Sequence, residues 1–384
     1  MLDEISALIE KYAICPKESP FYETCNPLLI YGAGNIGKDV CRILNSRGIK
    51  ILAFLDRKAN AGDQWNGIPI YAPDWDGLSH AQKQQAGIII ALHNRDVNIP
   101  PIITALRREG YVRVITLIEF FDRFGGEMGE RYWLTSRIAY QAWVADILKG
   151  YKVWADERSR QIYLNLLRYR LTGNYDDLVM PDTDQPYFPS RLLQWESPLR
   201  FVDGGAFDGD TLRELFKTKY DIECIATFEP DLENFRKLAE YVFSSGNKRV
   251  YLWPCGIYST TQQLYFQSGR GEGSRILSGK GETSKISAIS NTTMIQAIAL
   301  DDVIPSFEPN LIKFDIEGAE YDGLMGAKRI IRENKPGLAI CTYHRPEHLW
   351  SIPLLIDNED LGYKFYLRVY KHNEFESVLY AKVV

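Results

Sequence analysis

Phe201-Val-Asp-Gly-Gly-Ala-Phe-Asp-Gly-Asp210 decides how the second half of this chain folds. Leu199, Phe201 and Val202 form a short apolar run that reads as a buried strand. The run ends on a carboxylate, Asp203, and enters a turn made of Gly204, Gly205, Ala206, Phe207, Asp208 and Gly209. From Thr211, a candidate cap, the apolar residues Leu212, Leu215 and Phe216 fall at helical spacing. Strand, glycine turn and helix open a nucleotide-binding α/β domain, because glycines let a ligand approach the backbone closely. Asp203, Asp208 and Asp210 beside the turn would repel a pyrophosphate. They suit a ligand that carries an amine and a sulfonium, and S-adenosylmethionine is the expected cofactor.

A second strand, Cys224-Ile-Ala-Thr-Phe-Glu229, ends on an acid, and Pro230 cannot extend it. Glu229 is therefore the candidate for the ribose hydroxyls. Asp203 and the Gly205 backbone are the candidates for the methionine end. Trp253-Pro-Cys255-Gly256 follows another apolar strand, where such sheets meet the adenine ring; a plain core strand and turn is the alternative. A third segment reads Leu311-Ile-Lys-Phe-Asp-Ile-Glu-Gly-Ala-Glu320 and follows Asp301-Asp302. Together with Phe228-Glu-Pro230 and Tyr343-His-Arg-Pro-Glu-His-Leu-Trp350, these motifs make the chain resemble the FkbM-type methyltransferases over about residues 185–384. The resemblance implies a class I methyltransferase sheet with a reversed last strand, matched by the hairpin pattern of Tyr363–Val369 and Ser377–Val383. One departure is Gly204, where that family more often has an aliphatic residue; a looser turn is the expected consequence.

The front of the chain repeats the strand–turn–helix pattern. Leu28-Leu-Ile-Tyr-Gly32-Ala-Gly34-Asn35-Ile-Gly37 precedes a helical face of Val40, Ile43 and Leu44, and Ile51-Leu-Ala-Phe-Leu-Asp56 ends on an acid. This is a dinucleotide-type fingerprint on a half-sized sheet. It resembles the small Rossmann-like domain at the front of some sugar-modifying enzymes, including acyltransferases that act on nucleotide-linked sugars. Gly32, Gly34, Asn35, Gly37 and Asp56 are thus a second candidate site, for a nucleotide, a nucleotide-sugar or NAD. The alternative is a scaffold whose glycines serve only the turn.

The predicted organisation is an N-terminal helix and loop (1–26), a small Rossmann-like domain (27–125), a helical connector (126–184) and a methyltransferase domain (185–384). The fold class is α/β with two Rossmann-like sheets. A chain of 384 residues suits two domains. The net charge of -5 lacks the basic footprint of a nucleic-acid binder. No apolar run reaches membrane-spanning length, the start lacks a secretory pattern, and the six cysteines show no metal-ligand spacing. A cytoplasmic protein acting on a small-molecule methyl acceptor is expected, with no nucleic-acid or membrane partner; the sequence leaves its oligomeric state open.

Asp315 closes its strand and should project into the cleft beside the transferred methyl group. Glu317 or Glu320 should cap the helix that begins near Ala319. His344 is the general-base candidate because its ordinary pKa lies near neutrality, with a hydrogen-bonded structural histidine as the alternative. His344 and His348 have the spacing of helical metal ligands, but Pro346 argues against a helix spanning them; Asp315, Glu317 and His344 are an alternative divalent-ion set, and no metal is expected. The leading function is S-adenosylmethionine-dependent methylation of an oxygen on a sugar or other small hydroxylated molecule. The alternatives are a nicotinamide-dependent oxidoreductase using the first glycine turn, or a non-catalytic nucleotide-binding protein.

Overall fold

The computed structural model describes residues 1–14, 21–246, 249–267, 275–277 and 292–383. The chain divides into two compact units. The first comprises Met1–Leu148, Ile162–Pro181 and Lys371–Phe375; the second comprises Lys149–Gln161, Asp182–Tyr370 and Glu376–Val384. The stretch read as a connector is thus shared between them, most of it lying in the first.

The first unit holds a six-stranded sheet. Its strands are β1 (Leu28–Tyr31), β2 (Ala53–Leu55), β3 (Gln64–Trp65), β4 (Ile68–Tyr71), β5 (Gly87–Ile90) and β6 (Arg113–Ile115), in the order β3-β4-β2-β1-β5-β6. All pairs are parallel except β3 with β4. β1, β2 and β5 are buried along their whole length, as central parallel strands covered on both faces must be. The helix Asn35–Asn45 follows β1 and buries Val40, Cys41, Ile43 and Leu44, the face its apolar spacing predicts. Deeper in this unit, Arg170 and Glu374 form a fully buried ion pair at 2.7 Å.

The second unit is built on a seven-stranded sheet. Its members are β7 (Leu199–Gly204), β8 (Ile222–Phe228), β9 (Val250–Trp253), β14 (Leu311–Phe314), β15 (Gly337–Cys341), β16 (Tyr363–Val369) and β17 (Ser377–Val383). The order is β16-β17-β15-β14-β7-β8-β9. Six strands run in one direction, whereas β17, antiparallel to both β15 and β16, is reversed, so the expected reversed last strand is present. From β7 the chain winds outward to β8 and β9, then returns to the other side of β7 as β14. That reversal makes the gap between the carboxyl ends of β7 and β14 a topological switch point, where open α/β sheets bind ligands.

Between β9 and β14 the chain adds a small sheet that periodicity did not reveal. It contains β10 (Gly256–Ile257), β11 (Gln262–Gln267), β12 (Arg275–Leu277) and β13 (Thr292–Ile298), in the order β10-β13-β11-β12. Its strands carry many polar residues because much of β11 and β13 lies at the surface. Among the described residues no helix is long and apolar enough to cross a membrane. The five described cysteines are free thiols, and Cys15 lies outside the described residues.

Candidate active site

Register places the chemistry before any side chain is considered. Across β7 and β14, Asp203 stands opposite Lys313 and Gly204 opposite Phe314. Across β7 and β8, Gly204 stands opposite Phe228, so the turn begins level with Glu229. Gly205 has φ +75°, and a Cβ there would lie 1.8 Å from the Asp315 carbonyl oxygen. Only glycine fits this close approach between turn and neighbouring strand. Gly204 is packed just as tightly: an added Cβ would meet Phe314 at 2.7 Å and Ile257 at 2.9 Å. The looser turn expected at Gly204 is therefore not found; large neighbours fill the space an aliphatic side chain would take.

Beneath the turn, Asp203 is completely buried and pairs with Lys313 Nζ at 3.0 Å. Lys313 also donates to the carbonyls of Gly204 (3.1 Å) and Gly205 (2.7 Å), so it clamps the backbone of the turn. Burial raises the Asp203 carboxyl, with Lys313 opposing. For the Lys313 ammonium burial acts downward, but Asp203, Asp315 and Asp210 outweigh it and the pKa is raised. Oδ1 faces Lys313, and Oδ2 is left without a hydrogen-bond partner, a buried acceptor that suits an amine brought by a ligand. Glu229 closes the other side: it accepts from Phe207 N and Asp231 N, both at 2.9 Å. Burial lifts its carboxyl to about 7 against those two bonds. Phe207, Asp208 and Gly209 complete the turn, with Phe207 exposed and Asp208 paired to Arg213. Ala206, Cys255 and Gly256 are buried and Pro230 is partly exposed; burial lifts the Cys255 thiol to about 11.

Beyond β14 the acids divide their work. Glu320 begins the helix Glu320–Met325 and accepts from Ile316 N (2.8 Å) and Gly318 N (3.1 Å). Those amides precede the helix, whose N-terminus has no side-chain cap, so the capping role expected of Glu317 or Glu320 is not found; Glu320 instead ties down the loop in front of the helix. The same carboxylate takes His344 Nδ1 at 2.8 Å and His348 Nδ1 at 3.2 Å. Burial would raise it, but the two imidazoles hold it well below the usual carboxylate range. Glu317 is left facing the cleft in a left-handed conformation, φ 55°, with 39% of its side chain exposed. Burial of its carboxyl among Asp315, Glu320 and Glu229 raises it to about 7, with His344 opposing.

Asp315 and His344 meet, as their places at adjoining strand ends predict. His344 Nε2 lies 3.4 Å from Asp315 Oδ1 and 3.6 Å from Glu317 Oε2. Burial pulls the imidazole pKa down, yet Glu320, Glu317 and Asp315 carry it to about 9. Asp315 is steadied by Tyr187, whose hydroxyl donates to Oδ2 at 2.9 Å while its ring lies 5.2 Å from Lys313 Nζ. Lys313 and Tyr187 thus tie the donor turn to the acceptor carboxylate, and neither was expected. A lysine inside an otherwise apolar strand is a signal for the first; Tyr187, in an irregular loop, has none.

In the first unit the second candidate site is less complete. Gly32 has φ +105° and Gly37 packs so closely that a Cβ would sit 1.9 Å from the Gly32 carbonyl oxygen. Asp56 accepts from Ala33 N at 2.7 Å and Lys58 N at 2.8 Å, so both oxygens already serve the turn. Gly34 and Asn35 alone face open space, with nothing within 4 Å of a Cβ at Gly34.

Residues 203–365 match the model of the methyltransferase FkbM domain, and residues 27–97 match that of the PglD N-terminal domain. The crystal structure of methyltransferase FkbM from Methylobacillus flagellatus superposes with TM-score 0.77 at 22% identity, covering 99% of this chain and 98% of that one. This likeness shows the fold. A putative methyltransferase from Streptococcus mutans, in complex with SAH, aligns over 50% of this chain and 91% of its own, at 12% identity and TM-score 0.28. No curated protein matches the chain.

Proposed function

We propose, from the match of residues 203–365 to the FkbM methyltransferase domain, that this chain moves the methyl group of S-adenosylmethionine onto a hydroxyl of a small acceptor, foremost a sugar. One observation carries the reading. The glycine turn after β7 and the acids after β14 share the switch point, with Gly205 against the Asp315 carbonyl. The residues fit the donor: Glu229 retains lone pairs for ribose hydroxyls, Gly205 lets the methionine end approach, and Asp203 Oδ2 is a buried oxygen without a hydrogen-bond partner for its amine. Cys255 and Gly256 border the adenine side. When bound, S-adenosylmethionine supplies an electrophilic methyl group on a sulfonium.

The chain's own part is to orient the acceptor and take its proton. Asp315, held by Tyr187, positions the hydroxyl. Glu317 accepts the proton as that oxygen becomes nucleophilic. His344 keeps its own proton through neutral pH, so it positions Asp315 and Glu317 and leaves the base role to Glu317. Calorimetry with S-adenosylmethionine and S-adenosylhomocysteine, then mass spectrometry for methylated product over nucleotide-sugars and free sugars, tests the reading. Binding of both ligands and a methylated sugar are expected; absence of binding by either overturns it.

For the first unit we propose a nucleotide or nucleotide-sugar at Gly34 and Asn35. The open space over Gly34 supports this, since its neighbours Gly32 and Gly37 serve packing.

A further inference from the structure

The geometry points to a divalent-cation site made by Asp315 Oδ1, Glu317 Oε2 and His344 Nε2, with the acceptor's oxygen as a further ligand. The claim rests on the acceptor side of the methyltransferase reading. His344 Nε2 stands 3.4 Å from one carboxylate oxygen and 3.6 Å from the other. Both separations exceed the roughly 2.7–3.2 Å of a good hydrogen bond. They approach the spacing of neighbouring ligands on one cation: with metal–ligand bonds of about 2.0–2.2 Å, the edges of the coordination polyhedron are about 3.0–3.5 Å.

Glu320 decides which atoms face the cation. Its oxygens already take two backbone amides and the Nδ1 atoms of His344 and His348. An oxygen that accepts from amides requires His344 Nδ1 to be the donor, which turns Nε2 toward Asp315 and Glu317. A buried carboxylate behind an imidazole, fixing its tautomer and aim, is the outer-shell arrangement of metal-bound histidines. Tyr187 does the same for Asp315 by donating to Oδ2, while Oδ1, on the His344 side, has the Tyr343 hydroxyl at 3.5 Å. The outward side is open, since 26% of the Asp315 side chain and 39% of the Glu317 side chain are exposed. A ligand can enter there.

One imidazole and two carboxylates suit Mn²⁺ or Zn²⁺ better than Mg²⁺, which favours all-oxygen octahedra. The cation takes the place of the proton on Nε2 and neutralises both carboxylates. It holds the acceptor hydroxyl as a ligand and makes that proton easier to lose. The proton passes to the second oxygen of Glu317.

The test is titration of Mn²⁺, and separately Zn²⁺, into chelator-stripped full-length protein. Calorimetry reads binding, and paramagnetic resonance reads free Mn²⁺. One ion per chain should bind saturably. Glu320→Gln should weaken binding about 10–100-fold, and His344→Ala and Asp315→Asn at least as much. S-adenosylhomocysteine affinity should stay unchanged in all three. If a buried variant fails to fold, Glu317→Gln at its partly exposed position gives the same readout. Absence of saturable binding, or binding that His344→Ala or Glu317→Gln leaves intact, overturns the cation site. Retained S-adenosylhomocysteine binding in that case leaves the methyltransferase reading standing.

Discussion

The chain contains the same strand–turn–helix device twice, at Gly32–Gly37 and at Gly204–Gly209, and the two have different chemistry. Each has a glycine that packing makes obligatory, Gly37 against the Gly32 carbonyl and Gly205 against the Asp315 carbonyl. Each has an acid level with the turn on the next strand, Asp56 and Glu229. What separates them is the strand on the other side. β5 brings Ala91, Leu92 and His93 past the first turn, and burial among aromatic rings lowers the His93 pKa to about 3, so this imidazole stays neutral. β14 brings Lys313, Asp315 and Glu317 to the second turn. Glycines make room for a ligand; the neighbouring strand decides whether anything reactive meets it.

The sharpest way to break this contrast is to remove the lysine that only the second turn possesses. Lys313→Met leaves Asp203 buried without its partner, and loss of one member of a buried pair costs about 3–5 kcal/mol. A fall in thermal midpoint together with loss of S-adenosylhomocysteine binding is expected. An unchanged melt would mean the turn does not depend on its clamp.

Next comes the acid that β14 contributes. Glu317→Gln should slow methyl transfer by about 10²–10⁴-fold, as loss of a proton acceptor does, with donor affinity preserved. Single-turnover kinetics beside calorimetry separates the two quantities, and equal loss in both would move Glu317 to the donor side.

Glu229 is the counterpart of Asp56, and substitution should show the difference in burial. Glu229→Gln should weaken S-adenosylhomocysteine by about 1.5–3 kcal/mol, the usual cost of a charge-assisted hydrogen bond. Asp56→Asn should leave that affinity unchanged. A pH signature follows as well. The folded carboxyl titrates at about 7, above its ordinary value. The folded state therefore binds more protons than the unfolded state between the two values, and stability falls as pH rises through that window. Denaturant melts from acid to neutral pH should show the decline in wild type and a shallower one in Glu229→Gln.

The smallest effect belongs to the first turn. Gly34→Val enters open space, so the melt and donor binding should hardly move. Any thermal shift produced by a nucleotide-sugar or NAD should vanish. Equal shifts in mutant and wild type would leave the first turn as scaffold.

Much of this was legible in the sequence because it is local. Apolar runs ending on Asp203, Glu229 and Asp315 mark strands that emerge at one edge of a parallel sheet, and the glycines between strand and helix mark where backbone must approach backbone. The hairpin of β16 and β17 followed from two alternating segments joined by a short connection. The small sheet β10–β13 was not legible, since exposed polar strands carry no two-sided apolar run. Nor was Tyr187, which reaches Asp315 from a loop by tertiary packing. The roles of the acids after β14 also needed the fold. The run Asp315-Ile-Glu-Gly-Ala-Glu320 does not say which carboxylate turns back to hold loop amides and an imidazole and which stays partly exposed beside His344. By itself the sequence determined two α/β sheets, their glycine turns and the residue types at the strand ends. Tertiary structure alone decided that Lys313 lies under Asp203 and that Glu320 orients His344. A pKa and a ligand set depend on distances between strands far apart in the chain, and those distances exist only once the sheet has closed around them.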